Sequence, residues 1–124
     1  MNKTRPVNLD LTQFRFPPMA IVSICHRISG VLLFLFIPIL IYFLHQTLLS
    51  PEHFATALNT LQKGGMRFLF WVMMCVTLFH LVAGVRHLIM DMGFGESVTA
   101  GRNSAIAVFI IAIILFILVG VWLW

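Results

Sequence analysis

Three long apolar runs divide the chain, and short polar segments separate them. The runs extend from Ile28 to Leu49, from Phe68 to Met90 and from Ala105 to Trp124. A helix rises about 1.5 Å per residue, so each run can cross a hydrocarbon layer of about 30 Å. The pattern therefore predicts an all-α membrane protein with three transmembrane helices.

The same pattern divides the chain into six segments. The three spans are residues 28–49, 68–90 and 105–124. An N-terminal segment with the start of the first helix (1–27) precedes them, and two connections (50–67 and 91–104) separate them. Pro17 and Pro18 suit the beginning of a helix, because proline has no N–H to donate within an interior turn. Pro38 lies inside the first run, where a membrane helix tolerates a kink.

The composition agrees with a membrane location. Hydrophobic residues make up 60% of the chain and charged residues only 10%, and the mean hydropathy is +1.02. A soluble domain of 124 residues cannot bury so much apolar surface, so we expect lipid to surround it. There is no basic stripe with interleaved aromatic residues, so we do not expect it to bind nucleic acid.

The positive charges indicate the direction of insertion. The net charge is +4, and the basic residues ahead of the first span are Lys3, Arg5, Arg15 and Arg27. The two later connections balance each other, with Lys63 and Arg67 in one and Arg86 and Arg102 in the other. Because basic segments stay on the cytoplasmic side, we expect a cytoplasmic N-terminus and a C-terminus on the outer side.

The second apolar run ends in an unusual stretch, "FHLVAGVRHLIMD". Ionisable side chains inside lipid are costly and usually face a protein interior. On a helix, His80, Ala83, Gly84, His87 and Asp91 lie on one face. Small residues beside a histidine allow either a flat, bulky group or another helix to approach closely. The spacing alone leaves both interpretations open.

The depth of His80 limits what it can bind. It lies roughly 15 Å from the inner end of its span, near the middle of the bilayer. His80 and His87 are about 10.5 Å apart along one helix, whereas two axial ligands of one haem lie about 4 Å apart. His26 and His45 lie near the ends of the first run, and neither is expected at the depth of His80. If His80 and a second histidine bind one haem, the second must come from another chain.

A second group of polar residues begins the first span, in "SICHRISG". Ser23, His26, Arg27 and Gly30 follow helical spacing and share a face. Arginine stays charged, so Arg27 needs an anion or a polar ligand. Alternatively, Arg27 extends toward lipid phosphates at the membrane edge.

Three stretches resemble one family: "RPVNLDL", "SICHRISG" and "HLVAGVRHLIMD". The chain resembles the cytochrome b membrane-anchor subunits of succinate dehydrogenase (succinate:quinone oxidoreductase, respiratory complex II). Two motifs carry the resemblance, Ser-x-x-His-Arg-x-x-Gly and His-x3-Gly-x-Arg-His-x3-Asp. The third span matches the family only in its hydrophobicity.

The resemblance implies a fold, a location and partners. The chain would be half of a heterodimeric haem-binding helical bundle in a bacterial inner membrane, with a periplasmic C-terminus. A small cytochrome b anchor chain would supply the second haem histidine. An iron–sulfur subunit and a flavoprotein subunit would dock on the cytoplasmic face. The chain would be part of an enzyme without containing a catalytic centre.

The resemblance also implies roles for individual residues. His80 would be the axial ligand of haem b, with its other N–H donated to a nearby carbonyl. Ser23 and Arg27 would bind ubiquinone. His26, Arg27 and His87 would contact the haem propionates.

The role of Asp91 and the function of the chain each have alternative interpretations. Asp91 would relay protons to the quinone, or would pair with Arg86 or Arg102 as a structural anchor. The alternative within the family is the anchor of a fumarate reductase that runs the reaction backwards. A haem-free structural anchor or a small transporter subunit is a third interpretation.

Overall fold

The computed structural model describes residues 15–124, which form four α-helices. These are α1 (Pro18–Leu49), α2 (Pro51–Gln62), α3 (Gly64–Asp91) and α4 (Val98–Leu123). Helices α1, α3 and α4 are long and apolar enough to cross a membrane. The prediction of an all-α membrane protein with three transmembrane helices is confirmed. The stretch "RPVNLDL" lies outside the described residues.

The helices are longer than the apolar runs from which they were predicted. Helix α1 begins at Pro18, after an extended Pro17, as the two prolines indicated. The segment predicted as connection 50–67 contains α2, and α4 already begins at Val98 within the predicted connection 91–104. Apolarity marks the part of a helix that lies in lipid, whereas caps and prolines decide where it ends.

Serine side chains begin two of the helices. The Ser50 hydroxyl accepts a hydrogen bond from the backbone N–H of His53 at 3.2 Å. The Ser97 hydroxyl accepts from the backbone N–H of Ala100 at the same distance. Each hydroxyl satisfies an N–H that has no partner inside the first turn. Between α3 and α4 the chain turns through Gly93 and Gly95, whose φ values of 85° and 75° suit glycine.

Small side chains let α1, α3 and α4 pack closely. The core consists of Val22, Ala83, Ala105 and Val108, which are all buried. Along α4 the buried residues follow helical spacing on one face: Gly101, Ala105, Val108 and Ala112. Most of the large apolar side chains on the three long helices are exposed. Such a surface suits lipid or another membrane chain rather than water.

Side-chain hydrogen bonds join α3 and α4 at both ends of the pair. At one end the indole N–H of Trp71 donates to the backbone carbonyl of Phe116 at 3.2 Å, and Trp71 Nε1 also lies over Gly120. At the other end the Arg86 side chain, only 7% exposed, donates from Nε to the Ser104 hydroxyl at 2.9 Å. Its Nη2 donates to the Gly101 carbonyl at 3.1 Å.

We predict that Arg86→Met destabilises the protein and that Arg102→Met does not. The first change removes two hydrogen bonds from a charged donor, each of the kind that contributes about 1.5–3 kcal/mol. Arg102 is exposed, lies on the first turn of α4 and serves as the matched control. The measurement is the thermal unfolding midpoint of the detergent-purified assembly. Equal midpoints for the two variants would show that the hydrogen bonds of Arg86 add no stability.

Candidate functional site

Three histidine rings meet between α1 and α3. The rings of His26 and His80 are stacked, with centroids 4.1 Å apart and planes inclined by 20°. The rings of His26 and His87 are tilted by 42°, with centroids 5.1 Å apart. Helix α1 contributes one ring and α3 contributes two. We call these three residues the histidine cluster.

The expected depth of His26 was wrong. His26 was expected away from the level of His80, because the first apolar run begins only at Ile28. Helix α1 packs against α3 in a register that puts His26 opposite Gly84 and His80 opposite Gly30. The ring of His26 therefore reaches the level of His80. The two stacked rings face each other, however, and stacked rings cannot hold one metal ion from opposite sides.

Two glycines allow the rings to lie this close to the backbone. A Cβ atom on Gly30 would lie 3.3 Å from Cε1 of His80, and one on Gly84 would lie 3.3 Å from Nε2 of His26. Each ring therefore rests on a glycine of the facing helix. The pairs also show that α1 and α3 run antiparallel, because the residue numbers rise along one helix as they fall along the other.

Ser29 joins the two helices, although it was not among the predicted site residues. Its hydroxyl donates to the backbone carbonyl of His26 at 2.7 Å. The same oxygen lies 2.9 Å from Nδ1 of His80. The expected carbonyl partner of the His80 ring is therefore replaced by a serine hydroxyl. The available signal was its spacing, since Ser29 stands one helical turn after His26 and beside Gly30.

One polar atom of the cluster has no partner. Nε2 of His26 is buried and makes no hydrogen bond within residues 15–124. A buried polar nitrogen without a partner is costly, so native structures usually supply one. This nitrogen is the position in the cluster that most needs a ligand or a partner group.

Within residues 15–124, no hydrogen bond joins the side chains of the other predicted site residues to the cluster. Ser23 is half-buried on α1, and Arg27 beside the cluster is exposed. Asp91 is exposed at the end of α3. Asp91 does not pair with Arg86, because the Arg86 side chain donates its hydrogen bonds to Ser104 and Gly101 of α4. Among the described residues Asp91 does not pair with Arg102 either.

The sequence of the whole chain was compared with known proteins. A profile of the family described as succinate dehydrogenase/fumarate reductase transmembrane subunit matches residues 1–119. The chain belongs to this family. It is therefore a transmembrane subunit of an oxidoreductase and a multi-pass membrane protein, and the resemblance drawn from its motifs is confirmed.

Individual relatives agree with the family. The chain is similar to the succinate dehydrogenase cytochrome b556 subunit of Coxiella burnetii, with 54% identity over the full length of both chains. It is 31% identical to the b556 subunit of Paracoccus denitrificans, covering 92% of this chain and 88% of the relative. A cytochrome b560 subunit from Porphyra purpurea is also 31% identical, covering 94% and 98%. The third helix, which carried no motif, is thus included in the similarity.

We predict that Gly84→Val lowers the stability of the assembled protein, whereas Gly65→Val does not. A side chain at residue 84 must displace the His26 ring, and overpacking of this kind costs about 1–3 kcal/mol. A Cβ on Gly65 meets nothing within 4 Å, which makes it the control on the same helix. The thermal unfolding midpoint is again the measurement. A Gly84 variant as stable as the control would mean that α1 and α3 do not need this close approach.

Proposed function

We propose that the chain is the large cytochrome b anchor subunit of a succinate:ubiquinone oxidoreductase. It would bind one haem b together with a partner anchor chain and form part of the ubiquinone reduction site. The observation that carries this proposal is His80, held over Gly30 and against Ser29 between two antiparallel helices. Its relatives in Coxiella burnetii and Paracoccus denitrificans are named as cytochrome b556 subunits of succinate dehydrogenase.

The residues of the histidine cluster fit a haem. His80 would be the axial ligand that this chain supplies, because imidazole is a common iron ligand. His26 has a buried nitrogen without a partner among the described residues, which suits a haem propionate. The His87 ring on α3 lies against that of His26, and Arg27 follows His26 on α1. A bound haem b supplies one-electron redox chemistry. The protein holds the ring, neutralises its carboxylates and keeps water away.

The second axial histidine would come from the partner anchor chain. His26 lies close to His80, but its ring is stacked on that of His80 rather than placed across a metal from it. His45, near the C-terminal end of α1, and His53, in the first turn of α2, are both exposed. The extensive exposed apolar surface of the long helices supports a second membrane chain beside this one.

Ser23 and Arg27 would bind ubiquinone. A quinone oxygen gains negative charge as electrons arrive, and a hydroxyl and a guanidinium can donate hydrogen bonds to it. Ser23 and Arg27 lie one turn apart on α1, and their side chains make no hydrogen bond to another described residue, so their side-chain donors remain available. Asp91, exposed at the end of α3, would relay protons to this site. The electrons would come from succinate through the flavoprotein and iron–sulfur subunits.

The proposed orientation puts the quinone site near the cytoplasm. The N-terminus would lie in the cytoplasm and the C-terminus in the periplasm of a bacterial inner membrane. Arg15 and Arg27 precede the first apolar run, and Asp91 and Arg102 lie beside the α3–α4 connection at the same end. The flavoprotein and iron–sulfur subunits would dock on this side. The polar residues at this end of α1 and α3 support the arrangement.

Two other functions remain testable. The family description includes fumarate reductase, and an anchor of that enzyme would serve the reverse reaction with a low-potential quinone. The quinone that the purified complex reduces or oxidises distinguishes the two. A haem-free anchor or small transporter subunit would give no Soret absorption band, and the histidine cluster between α1 and α3 counts against it.

We predict that Ser23→Ala and Arg27→Leu lower succinate–quinone activity at least tenfold. Removing one donor to a developing oxyanion typically costs about 10²–10³ in rate. Electron transfer from succinate to a soluble dye should stay unchanged, because the dye takes electrons before they reach the membrane. Arg102→Leu is the control for losing an arginine at this end of the chain. Full quinone activity in both variants would remove this pair from the site.

We predict that His80→Leu abolishes the bis-histidine low-spin haem spectrum and that His87→Leu leaves it in place. His87 would affect only the propionate contact, so its loss should shift the reduction potential without removing a ligand. His45→Leu, on an exposed turn of α1, is the control. A low-spin spectrum that survives in the His80 variant but is lost in the His87 variant would move the ligand to the inner edge.

A further inference from the structure

The direction of one hydrogen bond follows from the geometry around Ser29. A serine hydroxyl has a single proton and two lone pairs. The Ser29 oxygen lies 2.7 Å from the backbone carbonyl of His26, and a carbonyl oxygen only accepts. The hydroxyl proton is therefore committed to that carbonyl.

The second contact of the hydroxyl must then run the other way. The Ser29 oxygen is 2.9 Å from Nδ1 of His80, and it can make this bond only by accepting. Nδ1 of His80 therefore carries a proton. In a neutral imidazole this leaves Nε2 with the free lone pair, which is the form in which the nitrogen can bind a metal.

We propose that Ser29 is a positioning residue that accepts the Nδ1–H of His80 and thereby keeps Nε2 free for iron. This inference rests on the proposed role of His80 as the haem ligand. The ring plane and the ring nitrogen are controlled by two adjacent residues of α1, since Gly30 lies under Cε1 of His80. One short stretch of α1 thus orients a ligand that α3 carries.

The surroundings strengthen this bond. Ser29 is only 5% exposed, so water competes poorly for either partner. A hydroxyl that already donates to a carbonyl is also a better acceptor, because linked hydrogen bonds polarise one another. Accepting from the N–H of a metal-bound imidazole makes the ring a stronger electron donor. Ser29 would therefore favour the oxidised haem and lower its reduction potential.

The test uses Ser29→Ala and Ser29→Thr in the complete, purified membrane complex. Threonine keeps a hydroxyl that can bond to a carbonyl one turn back. Thr47→Ala is the matched control, because the Thr47 hydroxyl donates to the Leu44 carbonyl at 2.8 Å on the same helix. The readouts are the haem reduction potential, the low-spin ferric spectrum and the rate of haem loss to an acceptor protein.

We expect Ser29→Ala to shift the haem potential to a more positive value and to weaken haem binding about 10–100-fold, the usual effect of removing such a partner. Ser29→Thr should return both properties toward those of the unchanged complex, and Thr47→Ala should alter neither. If Ser29→Ala prevents assembly, the threonine variant decides. A threonine variant that assembles with the original potential supports the proposal, and one that fails as the alanine variant does overturns it.

The outcome for His80 separates this inference from the proposed function. If His80→Leu removes the ligand but Ser29→Ala leaves both potential and haem retention unchanged, Ser29 has no positioning role and the haem assignment stands. If His80→Leu leaves the bis-histidine spectrum intact, His80 is not the ligand. Both proposals then fail together.

Discussion

The close antiparallel approach of α1 and α3 is the constraint on which the site depends. It requires Gly30 opposite His80 and Gly84 opposite His26, because a Cβ at either glycine would press on a histidine ring. Within a membrane, helices gain little from hydrophobic burial against each other and instead rely on small residues and polar contacts. The two glycines therefore serve two purposes, since they bring the backbones together and make room for the rings.

The four ionisable residues of "FHLVAGVRHLIMD" occupy three different environments. His80 and His87 face α1 and meet the ring of His26. Arg86 faces α4, where the Ser104 hydroxyl and the Gly101 carbonyl accept hydrogen bonds from its guanidinium. Asp91 is exposed at the helix end. A single helix thus carries a histidine-bearing face toward α1 and an arginine toward α4, so these polar groups lie against protein rather than lipid.

The sequence was sufficient for the three long helices and for the face on which His80 lies, because both depend on spacing within one helix. It was insufficient wherever two helices meet. His26 was placed at the wrong level because the apolar runs do not reveal how far α1 is shifted along α3. Ser29 and the partners of Arg86 were missed because the register between helices depends on packing. Residues 51–62 form a helix that begins with a serine cap and a proline. In the sequence these local signals are weaker than the long apolar runs.

The tautomer of His80 links the fold to the proposed chemistry. A histidine near the middle of a membrane is tolerable when neutral, but neutrality alone does not decide which nitrogen carries the proton. Here the choice follows from α1, because the Ser29 hydroxyl proton is already used by a carbonyl of its own helix. A helical backbone carbonyl on α1 thereby fixes the proton position on a ring of α3. Helix α3 alone carries the histidine, but only its pairing with α1 presents Nε2 as the free nitrogen. This is why the assembled pair of helices, rather than the motif on either one, is the unit that would bind haem.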